Sequence, residues 1–108
     1  MSKVKIVTFV PRENAEAVRG ALGDAGAGVI GEYSFCSYSI LGIGRFLPSD
    51  NTQPHIGQAG KLESVQEERI EVTCNRENVK AAIRAMKSVH PYEEVAFDVY
   101  VLIDEEEL

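Results

Sequence analysis

Two stretches of the chain, PRENAEAVRGAL at Pro11 to Leu22 and NRENVKAAIRAM at Asn75 to Met86, align without a gap and share Arg-Glu-Asn. A repeated start of this kind implies two similar structural units, and the residues ahead of each copy agree. KVKIVTFV puts Val4, Ile6, Thr8 and Val10 on one side, and RIEVTC does the same with Ile70, Val72 and Cys74. Alternation with a period of two is what a strand with one buried face requires. Inside the copies, apolar residues fall at Ala15, Val18, Leu22 and Ala25, and again at Val79, Ala82, Met86 and Val89. Both sets step i, i+3, i+7, i+10, so each lines one face of a helix.

Local signals bound these helices. Pro11 suits the start of the first, where a missing N–H costs nothing, and Asn75 is placed to cap the second with its side-chain oxygen. Gly26 and Gly28 stop the first helix, because a left-handed C-terminal cap needs little or no side chain. The following VIGEYSFCSYSILGIGRFLP alternates from Tyr33 to Ile40, predicting one long strand or two joined by a hairpin, bent near Gly42 and Gly44. VAFDVYVLI predicts the last strand, with Val95, Phe97, Val99, Val101 and Ile103 on one side and apolar character on both faces toward its end.

The resulting order, β-α-β(β)-β-α-β, is an α+β, ferredoxin-like plan: an antiparallel sheet with two helices on one face. A length of 108 residues predicts a single domain spanning residues 1–108. Ser49 to Leu62, SDNTQPHIGQAGKL, has no periodicity and is rich in turn residues. A loop of that length in a compact domain usually has a binding role.

Charge and composition remove whole classes of partner. The net charge of −6, without a segregated basic patch, sets the surface against nucleic acid. The acids from Asp104 to Glu107 read as a solvated tail. The mixed apolar run before Pro11 is shorter than the roughly 7–15 residues of a signal-peptide core. No stretch approaches the roughly 20 apolar residues that cross a membrane. Cys36 and Cys74 belong to no metal or redox motif and read as small buried hydrophobes in a reducing compartment, so a cytoplasmic location is expected.

The chemistry-bearing residues concentrate in HPYEEVAFDVY, His90 to Tyr100. A residue before proline is pushed out of helical dihedrals, so His90 marks the end of the second helix, which is expected to run from Arg76. Glu93 and Glu94 are expected to point to opposite sides as the last strand begins, an arrangement unsuited to a two-carboxylate hydrolase. Two readings of the stretch stay open. His90 with Glu93 or Glu94 could supply two ligands to a divalent metal ion, with His55 or another subunit completing the site. In the plainer reading, His90 and Tyr92 form a hydrogen-bonded turn locking helix to strand. LGDAGAGVIG and GIGRF do not match a phosphate-binding loop, and no serine or cysteine has a base beside it in sequence. In EERIEV, Glu67, Glu68, Arg69 and Glu71 read as a solvated strand face or an ion pair between subunits.

GRFLPSDNTQPHIGQAGKLESVQEERIEV followed by HPYEEVAFDVY resembles the central insertion domain of the NGG-one-interacting-factor-three family, also called YqfO or YbgI proteins, over nearly the whole chain. The likeness rests on GRF, on P-x-I-G at Pro54 to Gly57, on E-x-R-I-E at Glu67 to Glu71, and on HPYEE. It departs at Phe97, where a tyrosine is expected, and at His55, where an aromatic ring is expected. The resemblance implies a ferredoxin-like fold related to the PII signalling proteins and to CutA. Those relatives form trimers with paired edge strands and ligand or metal sites in the clefts. In the full-length family, a dinuclear metal site linked to proposed hydrolase activity lies in flanking halves that these 108 residues do not include.

These readings combine into one expectation: a non-enzymatic, homotrimeric binding or regulatory module with a small-molecule ligand and without nucleic-acid or membrane partners. Its clefts would be walled by the Ser49 to Leu62 loop and the His90 to Glu94 turn. The candidate ligand-binding residues are His55, His90, Tyr92, Glu93 and Glu94. No cofactor is specified beyond a divalent metal ion, for which His90 and Glu93 are the candidate ligands. The alternatives are a metal-ion-binding protein using HPYEE and a metal-dependent hydrolase by family association.

Overall fold

The computed structural model describes residues 2–108. Strand β1 (Val4–Pro11) leads into helix α1 (Arg12–Asp24), strand β2 (Tyr38–Phe46) and strand β3 (Glu63–Cys74). A short 3-10 turn (Arg76–Asn78) precedes helix α2 (Val79–Val89) and strand β4 (Phe97–Val101). The strands form one antiparallel sheet in the order β2-β3-β1-β4. Each repeat therefore supplies one central strand, one helix and one edge strand.

Register fixes which residues meet the helices. Ile6 lies opposite Val72 on one side and Val99 on the other, and Thr8 lies opposite Ile70 and Phe97. Alternate residues of this row pack with Ala15, Val18 and Leu22 of α1 and Ala82 and Met86 of α2 in a continuous apolar cluster. Val18, Leu22 and Met86 are fully buried, and each such side chain contributes roughly 1.5–3 kcal/mol. The helical faces read from the sequence are thus the core, although Val89 at the end of α2 is exposed.

Three local expectations change. Asn75 makes no side-chain cap; its carbonyl accepts the Asn78 N–H at 3.0 Å, and the intervening 3-10 turn delays α2 to Val79. Pro11 closes β1 and serves as the residue before α1 rather than within it. Tyr33 to Ser37 alternate in sequence but form no strand. Ile30 and Tyr33 make an isolated bridge, and Phe35 takes a left-handed φ of 57° with its ring against Gly23. A left-handed residue cannot continue an extended strand, so β2 begins only at Tyr38.

β3 has 12 residues and outruns β1. Its pairing with β2 from Ile43↔Gln66 to Phe46↔Glu63 extends past Pro11 as a two-stranded arm. The molecule is accordingly elongated, at 49 × 26 × 23 Å. The residues between Phe46 and Glu63 join the arm's strands and fold back, held by the Gly60 N–H donating to the Pro48 carbonyl at 2.8 Å.

Candidate ligand pocket

The helix-free face of the sheet carries Phe9 from β1, Glu67 and Arg69 from β3, and Ile40, Gly42, Gly44 and Phe46 from β2, as register requires. Two segments roof it: the loop after β2, and the turn between α2 and β4. Together with the sheet they form a half-open cavity of about 610 Å³.

The turn is built from backbone needs. β1 and β4 pair only as far as Thr8↔Phe97. The Thr8 hydroxyl donates to the Ala96 carbonyl at 3.0 Å, and the Phe9 carbonyl lies beyond the ladder, where it needs another donor. His90 Nε2 meets it at 2.7 Å. The His90 Nδ1 accepts the Tyr92 N–H at 3.2 Å. A carbonyl only accepts and an amide N–H only donates, so the imidazole is neutral with its proton on Nε2. Burial pushes the His90 pKa below the usual histidine value of 6.5, against the opposing influence of the Phe9 carbonyl and Glu67.

The turn then aims Tyr92 into the cavity. Its ring lies 5.0 Å from that of His90 and 6.2 Å from Phe46, and its hydroxyl donates to Glu67 Oε2 at 2.7 Å. Glu67 is only 8% exposed. Burial, followed by the bond to Glu67, raises the Tyr92 pKa well above the ordinary phenol value of 10.0, so the donor stays protonated. Glu67 fits because residue 44 is glycine: a Cβ there would lie 2.6 Å from the Glu67 carboxyl carbon.

Beside this chain of contacts, Glu93 Oε1 accepts the Gln53 N–H at 2.8 Å and ties the turn to the loop. His55, on the same loop, sits with its ring 6.3 Å from Tyr92. His55, Tyr92, Glu93 and Glu94 all line the cavity, while His90 stands behind Tyr92 and supports it. The two glutamates do not diverge along a strand as expected. β4 starts three residues after Glu94, and a bend brings both carboxylates to the same cavity.

Glu67 is the residue the sequence reading misplaced, since it is buried and bonded rather than on a solvated face. Glu68 pairs with Arg19 across the helical side, and Arg69 donates to Glu71 at 2.9 Å while lying over the Phe9 ring. Phe97 packs toward the core and under Lys87, away from the pocket. Among the described residues, no three His, Cys, Asp or Glu side chains are grouped to hold a metal ion.

A four-stranded antiparallel sheet with both helices on one face, and a pocket on the other under the loop between β2 and β3, defines an α+β domain of the CutA- and PII-like class. CutA from Xylella fastidiosa superposes with a TM-score of 0.71 over 99% of this chain and 90% of its own, at 19% identity. That likeness establishes the fold. The particular relationship comes from closer sequences: the chain is a relative of the PII/CutA-like domain of the NGG-one-interacting-factor-three family, as its motifs implied. A Bacillus cereus protein related to NIF3 matches with a TM-score of 0.84 and 48% identity over 95% of this chain and 26% of its own. A Bacillus subtilis protein called GTP cyclohydrolase 1 type 2 homolog is 53% identical over 89% of the chain. The chain spans about a quarter, 26%, of that curated relative's length. No family model matches the chain.

Proposed function

We propose that the chain acts as a non-enzymatic, trimeric, cytoplasmic binding or regulatory module whose small-molecule sites lie in clefts between subunits. The observation that carries this reading is the cavity itself, which runs from the buried Glu67 and the half-buried Tyr92 out to Ile40 and Ile43 on the edge strand β2. Tyr38, Ile40, Leu41 and Ile43 of that edge are exposed, and so are Val99 and Val101 of β4 at the other edge. Unpaired edges bearing apolar side chains invite pairing with another chain. A neighbour on β2 would complete the outer wall of the pocket.

The metal reading asks more of the same residues. For His90 to bind a divalent ion, one ring nitrogen must give up the Phe9 carbonyl or the Tyr92 N–H. A small-molecule ligand uses the pocket as it stands. The activity implied by the name of the longer relatives belongs to proteins of which this chain spans a quarter, and the module reading assigns it no step of that chemistry.

Light scattering tests the proposal at protein concentrations on the order of tens of micromolar. Three chains are expected for the wild type, and a smaller species for Ile40→Glu, which places a charge on the edge. A wild-type monomer would overturn the reading.

A further inference from the structure

Among the charged residues at the cavity, Arg69 is occupied by Glu71 and by the Phe9 ring. Arg45 also lines the cavity, from a Cβ that starts on the opposite side of β2 from Gly44 and Phe46. Against these two guanidiniums, one of them already paired, stand three carboxylates: Glu67, Glu93 and Glu94. Glu67 is the telling one. Its Oε2 is held by the Tyr92 hydroxyl, while its Oε1 lies beside the bare backbone of Gly44, makes no protein hydrogen bond among the described residues and is reached by solvent.

Aromatic rings surround the same space. Tyr92 lies between Phe46 and His55 at 6.2 and 6.3 Å, with planes inclined by 55° and 51°. Tilted rings around a cavity present π faces and edges, and a cation is drawn to the faces. A carboxylate oxygen that water reaches at the wall of a largely apolar pocket is a ready acceptor for a charged donor, which forms a shorter and stronger bond than a neutral one.

Resting on the reading of this cavity as a ligand site, we propose that its ligand is a small organic cation: an ammonium or amidinium group directed at Glu67 Oε1, on a flat or apolar body held by Phe46, Tyr92 and His55. The Tyr92 hydroxyl fixes the carboxylate, and the missing side chain at Gly44 makes room for it. Glu93 and Glu94 at the rim add to the negative field that draws the cation in. A carboxylate or phosphate ligand would meet three like charges against the two guanidiniums of Arg45 and Arg69, the second of which is held by Glu71.

Three probes with the same ring and different charge test this: benzylammonium, benzyl alcohol and benzoate, each titrated while the amide signals of Gly44, His55 and Tyr92 are followed by NMR. Benzylammonium is expected to bind saturably and at least about tenfold more tightly than benzyl alcohol, about 1.4 kcal/mol, with benzoate weakest. Glu67→Gln keeps an acceptor for Tyr92, and is expected to remove the preference for the cation over the alcohol. Glu93→Gln, farther out, is expected to reduce the preference severalfold and serves if the first variant fails to fold. Equal binding of alcohol and cation, or tighter binding of benzoate, overturns the cation assignment but leaves the pocket reading in place. No saturable shift with any probe overturns both.

Discussion

Tyr92→Phe removes one oxygen from the centre of the pocket, and its cost can be worked from the contacts. The hydroxyl donates at 2.7 Å to a carboxylate on a residue that is 8% exposed. Hydrogen bonds to charged groups contribute about 1.5–3 kcal/mol, and removing the donor leaves Glu67 without that partner. Against a typical total of roughly 5–15 kcal/mol, this is a substantial fraction. For a domain of this size each kcal/mol moves Tm by about 4 °C, so the melting point should fall by roughly 6–12 °C. Calorimetry or a circular-dichroism melt reads this directly, and a cycle with Glu67→Gln should show coupling of about 1 kcal/mol or more. The alkaline limb gives a second check. A phenol whose folded pKa lies above its unfolded value of 10.0 contributes stability that is fully present below 10.0 and lost as the pH rises toward the folded value. The wild type should therefore weaken above that pH by more than Tyr92→Phe does. A melting-point change under about 2 °C, with additive single variants, would show that solvent satisfies Glu67 and that the hydroxyl does not organise the pocket.

Two further predictions follow from neighbouring groups. The His90 pKa is depressed by burial, so between its folded value and 6.5 the unfolded chain binds more protons than the folded one. Stability is complete above 6.5 and is lost as the pH falls below it. Urea titrations across this range should give a slope that His90→Gln lacks, and equal slopes would refute the neutral, doubly bonded imidazole. Cys74 is 2% exposed and its thiol pKa is raised, first by burial and then by Glu77. A thiol reagent added to native protein should label the half-buried Cys36 and leave Cys74 unmodified until denaturant is added; native labelling at Cys74 would show the core opening locally.

The fold was legible because it rests on periodicity. Val4, Ile6, Thr8 and Val10 are all buried, and so are Ile70, Val72 and Cys74, as a single apolar face requires. Periodicity failed at Tyr33 to Ser37, where a left-handed Phe35 packed on Gly23 interrupts an alternating run. The site was half legible. His90, Tyr92, Glu93 and Glu94 are crowded together in sequence and announce themselves. Glu67 is hidden in a strand of alternating charge, and its burial is set by Tyr92, 25 residues away. One signal did point to it: Gly42 and Gly44, two apart on one strand, leave a side-chain-free face where a neighbour can approach. The pairing of Gly42 with Glu67 that gives this signal its meaning exists only in the folded sheet.

Subunit count and retained ligand are both read by native mass spectrometry of the purified protein, at a chain mass of 11.9 kDa. The account predicts a species of three chains that releases a small, positively charged molecule when the protein is unfolded. A single chain as the only species, carrying nothing, would contradict it.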